Sequence, residues 1–231
     1  MLLTTKEITR MIDLSCVRTI SSKTDIEEMV RIARQYGFGQ VSVLQCFIPY
    51  TRQLLKDAPD VRVIGNVSFP SGSDSTSIKV AQAKEMIAAG CDEIDMVMNI
   101  GKLRSGLLTE VEKDVQAVVD TVCPFPIKVI IEVMYLTEQE IRQACEICLR
   151  TDATFVKTGT GWAERGTTLE DVHLVKSVVG DRIKIKASGG IRDLDTLVEM
   201  YRAGARRFGI NLKSSIQIVE ESLARGSGIE L

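Results

Sequence analysis

Lys157, in the run FVKTGTG, and Lys186, in KIKASGG, each stand at or near the downstream end of a short β-rich stretch that stops in glycine and hydroxyl residues. A lysine ammonium is rarely buried without a partner, and two of them near the ends of adjacent strands would repel one another. That repulsion would leave one as a usable amine near neutrality, and chemistry built on a neutral lysine is Schiff-base chemistry. A free lysine has a pKa near about 10.4, so lowering it to about 7 takes about 4–5 kcal/mol. A second ammonium about 6 Å away, at an effective dielectric near about 20, contributes roughly 2.8 kcal/mol. Partial desolvation would supply the rest. An iminium on the nucleophile is an electron sink, allowing carbon–carbon cleavage next to it without a metal. Moving protons to and from the carbinolamine and the product hydroxyl then needs a carboxylate and a second ammonium. Asp95 and Lys186 are the candidates for those roles.

Such residues need a frame. Strand-like runs recur as RMIDLS, QVSVLQ, RVIGNVSF, EIDMVMN, IKVIIEV, FVKTG, IKIKAS and RRFGIN. Helical patterns lie between and after them, over about 25–35, 52–56, 75–89, 107–122, 138–149, 169–179, 194–203 and 214–224. Ser75, Thr137, Thr168 and Asp193 are sensible N-caps, and Gly90, Gly180 and Gly204 follow helices where glycine suits a positive φ. Eight β-then-α units without linker or repeat predict one α/β domain over 1–231, a (β/α)8 TIM barrel. A doubly wound open sheet is the runner-up, disfavoured because the first βα turn lacks a G-x-G-x-x-G fingerprint. In a barrel, active groups sit at the C-terminal ends of strands. Asp13, Asp95, Glu132, Lys157 and Lys186 fall in the later parts of their runs, and Lys128 shares side-chain parity with Glu132. These six are expected to face inward, three acids against three lysines. A purely structural ion-pair network is the alternative reading, and it would more naturally draw on arginine's permanently charged fork.

Composition narrows the function classes. The 29 basic and 31 acidic residues of the 231 create no field that would gather nucleic acid or an anionic membrane. There is no apolar run long enough for a bilayer and no signal-peptide pattern, so a cytoplasmic protein is expected. Six cysteines are scattered through apolar stretches, and Cys145 and Cys148 share one side of a helical pattern, so they read as packing residues. One histidine, His173, excludes multi-histidine zinc sites and argues against a Ser-His-Asp hydrolase. No metal is expected.

The segments EIDMVMNIGKLRSG, IKVIIEVMYLT, FVKTGTG and KASGGIR, in this order, resemble the deoxyribose-phosphate aldolase family from near MIDLS to AGARRFG. The resemblance implies a cofactor-independent class I aldolase that interconverts 2-deoxyribose 5-phosphate with glyceraldehyde 3-phosphate and acetaldehyde. It implies that Lys157 forms the Schiff base, Lys186 tunes it and Asp95 relays protons. It also implies a small aldehyde or sugar-phosphate substrate, and a homodimer would suit relatives of this size. Gly189 and Gly190 match the family's phosphate-binding glycines, and Gly161 matches a position near the phosphate. Asp13, Ser15, Lys128, Glu132, Thr158 and Asn211 complete the expected substrate-binding set.

Several positions depart from that pattern. Gly209-Ile210-Asn211-Leu212-Lys213-Ser214-Ser215 stands where relatives show Gly-x-Ser-Ser, so Asn211 is the expected cap of the last helix and Lys213 a source of charge. Trp162 stands where relatives carry a small residue or a lysine; narrowing the pocket, stacking on a larger substrate and plain packing all stay open. Ser42 and Gln45 mark the second strand, and MIDLS replaces the commoner D-H-T opening with Ser15 keeping a hydroxyl. These changes bear on substrate more than on reaction type. The alternatives are the same lysine chemistry on another aldehyde, sugar or keto acid, and a barrel that binds a sugar phosphate without catalysis.

Overall fold

The computed structural model describes residues 2–226 and 228–230. Eight parallel strands close on themselves: β1 (Ile12–Cys16), β2 (Gln40–Val43), β3 (Arg62–Val67), β4 (Glu93–Val97), β5 (Ile127–Ile130), β6 (Phe155–Lys157), β7 (Lys184–Ser188) and β8 (Ala205–Asn211). Each is followed by a helix of the outer ring: α1 (Lys23–Tyr36), α2 (Ile48–Leu54), α3 (Thr76–Ala88), α4 (Leu108–Val122), α5 (Glu138–Arg150), α6 (Leu169–Val179), α7 (Leu194–Arg202) and α8 (Leu212–Ala224). The expected (β/α)8 barrel is therefore the fold, and β8 pairs with β1 to complete it.

Strand alternation divides the chain's chemistry. Leu14, Ile94, Val129, Val156, Ile185 and Phe208 join the apolar layer between barrel and helices. Their neighbours Asp13, Asp95, Lys128, Lys157, Lys186 and Arg207 take the other face, inside the barrel. Registers set some of these polar residues opposite one another: Asp95 faces Lys128, Lys157 faces Lys186, and Lys186 faces Arg207 beside an irregularity at Ile185/Lys186.

Caps act as the local sequence dictates. Thr137 and Thr168 form reciprocal capping boxes with Glu140 and Asp171, and Asp193 accepts from the Thr196 N–H. Ser75 stands at the N-cap of α3 without a side-chain capping bond; its hydroxyl pairs with Ser77 instead. Asn211 caps α8 as expected, accepting from the Ser214 N–H at 3.0 Å, which starts that helix at Leu212, two residues before the apolar pattern suggests. α2 begins at Ile48, four residues earlier than expected, with Pro49 in its first turn, where a missing N–H costs nothing.

Two α-helices among the described residues went unforeseen. One spans Thr5–Met11 ahead of β1, behind a Thr4–Glu7 capping box, and the other is the short Ile100–Arg104 turn. Leu2–Leu3 also pairs antiparallel with Ile229–Glu230, outside the barrel. Lys79 of α3 is wholly buried, donating to the Val97 carbonyl at 3.1 Å and pairing with Asp114 at 2.5 Å, which anchors the end of the strand that carries Asp95.

Candidate active site

Lys157 closes β6 and stands on the floor of a pocket at the C-terminal mouth of the barrel, 5% exposed. Asp95 and Lys186 lie directly beneath it, both wholly buried. One carboxylate oxygen, Asp95 Oδ2, accepts from Lys157 Nζ at 2.8 Å and from Lys186 Nζ at 2.7 Å. The three residues expected to carry the chemistry thus meet at a single atom.

Around them the charges form a ring of alternating sign. Lys186 pairs with Asp13 at 2.5 Å, Asp13 with Arg207 at 3.0 Å and Arg207 with Glu93 at 2.8 Å. Glu93 pairs in turn with Lys128, and Lys128 returns to Asp95 Oδ1 at 3.2 Å. That closed ring balances three carboxylates against three cations. Lys157 hangs from Asp95 as an additional cation inside the barrel, so its loss of a proton removes an excess charge rather than creating a deficit. Arg62, half exposed, caps the Glu93 end at 2.9 Å.

The electrostatics follow from this arrangement. Burial lowers the Lys157 pKa from 10.5 to about 8; Asp95 opposes that and the Lys186 ammonium reinforces it. Burial therefore outranks the lysine–lysine repulsion expected to be the chief cause. Asp95 is buried too, which would favour its neutral form, but Lys128, Lys157 and Lys186 outweigh that and hold it well below the usual carboxylate range. Glu93 is lowered to about 2 because Lys128 and Arg207 overcome its burial. Lys128 is raised against its burial by Asp95, Asp13 and Glu93, so it keeps its proton.

Several expected substrate contacts are placed elsewhere. Asp13, Lys128 and Thr158 are fully buried below the pocket and do not line it. Asp13 and Lys128 serve the charge ring. The Thr158 hydroxyl accepts from the Ser188 N–H at 3.0 Å and lies 2.7 Å from the Thr167 hydroxyl, tying β6 to β7 and to the loop before α6. Glu132 does not share the inward face of Lys128, because β5 ends at Ile130 and Glu132 turns into the left-handed region at φ 47°. Its carboxylate accepts from the Thr160 N–H at 3.1 Å, and burial raises its pKa. Gln45 points away from the mouth, donating to Glu85 on α3 at 2.8 Å.

Ser15, Gly161, Gly189, Gly190 and Asn211 do line the pocket, together with Ser42 and Trp162. Lys213 is exposed outside it. Gly189 and Gly190 take φ of 96° and 84°, and a Cβ on Gly166 would stand 2.7 Å from Gly190 Cα. Glycine is what lets the loops after β6 and β7 approach so closely.

Sequence reasoning missed Glu93 and Arg207 of the ring, and Asn66, Arg18, Arg165 and Arg192 of the pocket. Glu93 sits two residues before Asp95 and so on the same strand face, a signal that was legible. Asn66 donates to the Ser42 hydroxyl and the Val43 carbonyl at 3.0 and 2.9 Å. Arg18 donates to the Gly161 carbonyl at 3.2 Å. Cys145 and Cys148 are buried and unbridged on α5, with thiols that burial pushes upward, and His173 is exposed. Among the described residues no cluster of His, Cys, Asp and Glu could hold a metal ion.

Comparison with known proteins agrees with the fold. Residues 10–212 match the DeoC/LacD family aldolase model. The deoxyribose-phosphate aldolase of Sinorhizobium medicae is 40% identical over 219 residues, covering 95% of this chain and 88% of that enzyme. That of Klebsiella pneumoniae is 39% identical over 220 residues, covering 94% and 88%. The solved aldolase QR15 superposes with a TM-score of 0.88 at 39% identity, over 94% of this chain and 96% of its own. The deoxyribose phosphate aldolase of Aeropyrum pernix, a tetramer, shares the fold at a TM-score of 0.87 and 23% identity, over 96% of this chain and 93% of its own.

Proposed function

Since the chain belongs to the DeoC/LacD aldolase family, we propose that it is a class I aldehyde-lyase that cleaves 2-deoxy-D-ribose 5-phosphate to D-glyceraldehyde 3-phosphate and acetaldehyde. The observation that carries this reading is Asp95 Oδ2 bridging Lys157 and Lys186 beneath the pocket floor. Lys157, with its pKa near 8, attacks the C1 carbonyl of the open-chain sugar. Asp95 and Lys186 pass protons as the carbinolamine loses water. The resulting iminium draws electrons from the C2–C3 bond once the C3 hydroxyl gives up its proton, and that bond breaks to release glyceraldehyde 3-phosphate. The enamine left on Lys157 is protonated at C2, and water then frees acetaldehyde.

The pocket mouth suits the phosphate. Gly161, Gly189 and Gly190 offer close backbone approach, and Arg18 and Arg192 supply positive charge beside Arg165, which is paired with Asp171 at 2.6 Å. Arg192 is exposed and has no ion-pair or hydrogen-bond partner among the described residues. These arginines offer the phosphate N–H donors where Asn211 and Leu212 carry no serine hydroxyl. No helix among the described residues is long and apolar enough to cross a membrane. A cytoplasmic location and a homodimer accompany this reading, and sedimentation would test the latter.

Turnover of 2-deoxyribose 5-phosphate, followed through release of glyceraldehyde 3-phosphate, tests the assignment. We expect cleavage that is abolished in Lys157→Ala. Activity near that of the unmodified protein in Lys157→Ala would overturn it.

A further inference from the structure

The barrel mouth holds two compartments rather than one. The first rises from Lys157, and its charged lining is Arg18, Arg165 and Arg192 with Glu164 at the rim. The second lies over the ends of β4 and β5, is lined by Pro70, Val97, Ile100 and Tyr135 beside Glu132, and contains no lysine or arginine. Thr160, Trp162 and Ala163 line both. Trp162 is by far the largest of the three, so its indole is the wall between a cationic half and an apolar half.

What holds that wall is unequal. The Trp162 backbone is fixed, its N–H donating to the Thr160 hydroxyl at 3.0 Å, and Thr160 in turn is held by Glu132. The indole itself rests edge-on against Phe69, with centroids 6.0 Å apart, and under the Arg18 guanidinium at 5.4 Å. Its ring N–H is buried without a hydrogen-bond partner among the described residues, so moving or truncating the ring breaks no hydrogen bond to them. Those two ring contacts are of the kind that locate a side chain without locking it.

We propose that Trp162 determines substrate specificity by closing an apolar subsite, the compartment beside Glu132, which takes the hydrocarbon part of a neutral acceptor aldehyde once the indole is out of the way. This rests on the aldolase reading above. A phosphorylated acceptor finds its cations on the Lys157 side and none beyond the wall, whereas an uncharged aromatic or aliphatic acceptor finds the reverse. In the synthetic direction the enamine carbon of Lys157-bound acetaldehyde bonds to the acceptor carbonyl carbon, a proton goes to the new hydroxyl, and water releases the product.

The test compares kcat/KM for addition of acetaldehyde to benzaldehyde, which cannot itself form an enamine, with that for glyceraldehyde 3-phosphate. Burying a phenyl group is worth roughly tenfold to a hundredfold, so Trp162→Ala should raise the benzaldehyde-to-phosphate ratio by at least about tenfold. Trp162→Phe, which keeps most of the wall, should leave the ratio within about threefold. An unchanged ratio in Trp162→Ala, or an equal rise in both variants, would overturn the proposal. Borohydride trapping of acetaldehyde in each variant reports an intact site, and Trp162→Val carries the same comparison should the alanine variant not fold. Failure of the aldolase reading shows separately, as no cleavage of 2-deoxyribose 5-phosphate by the unmodified protein, and glycolaldehyde then replaces the phosphorylated acceptor as the polar reference.

Discussion

At the scale of the residue, Lys157 is an amine that the fold makes uncomfortable as a cation. Its burial favours the neutral form, Asp95 resists, and the Lys186 ammonium tips the balance to a pKa of about 8. The neutral fraction therefore grows as pH rises, and kcat/KM should climb through an acid limb centred near pH 8. A profile flat from about pH 6 to 9 would show that this lysine's proton does not govern the reaction. Linkage gives a second consequence. Between about pH 8 and 10.5 the unfolded chain binds a proton at this position that the folded chain does not, so the stability contribution of Lys157 rises with pH across that window. Lys157, Lys186 and Asp95 were legible in the sequence because each stands in a distinctive motif near a strand end. The order of causes was not legible, since burial depends on how tightly neighbouring loops close, which one strand's sequence does not state.

At the scale of the element, the turn after β5 shows where local pattern stops being informative. Strand-like composition continues through IKVIIEV, but β5 ends at Ile130 and Glu132 flips into the left-handed region. A parity argument extended past that point put Glu132 inside the barrel, whereas its carboxylate holds the backbone of Thr160. The fit depends on Gly159, where a Cβ would lie 2.8 Å from Met134 Cε and 3.0 Å from Glu132 Oε1. Gly159→Ala should loosen the loop that carries Gly161 and Trp162, raising KM for the phosphorylated substrate by about tenfold with a smaller loss in kcat, because displaced positioning groups cost binding and alignment. Steady-state kinetics check this, and an unchanged KM would show that the loop adapts without cost. Helix ends were easier to read, since Thr137, Thr168, Asp193 and Asn211 cap through short-range bonds written in the adjacent sequence. The Thr5–Met11 helix carried the same signal in Thr4 and Glu7, but its seven residues are too few for a strong apolar period.

At the scale of the molecule, barrel closure converts separate strand residues into one charge ring. Asp13 of β1 reaches Lys186 of β7 and Arg207 of β8, and Arg207 reaches Glu93 of β4 across the interior. The eight alternating units made the barrel legible, but the ring was only half visible. Arg207 lies in an Arg-Arg pair that reads as solvated surface, and only the alternation of β8 separates the exposed Arg206 from its inward neighbour. The arginine that marks a structural network lies in the ring, and Lys157, the lysine proposed to do the chemistry, hangs from that ring through Asp95, so the two readings were not exclusive. Arg207→Met would strand Glu93 and Asp13 beside fewer cations and should destabilise the fold by about 3–5 kcal/mol. Chemical denaturation measures this, and a loss under about 1 kcal/mol would mean that the ring relaxes around the missing charge.

The central claim is that, of two lysines sharing one carboxylate, Lys157 forms the covalent bond. Borohydride reduction during turnover of 2-deoxyribose 5-phosphate, followed by peptide mapping, tests it most directly. We predict a reduced adduct on Lys157 that is lost in Lys157→Ala while Lys186 stays unmodified. An adduct on Lys186 in the unmodified protein, or turnover with no trapped lysine, would contradict the account.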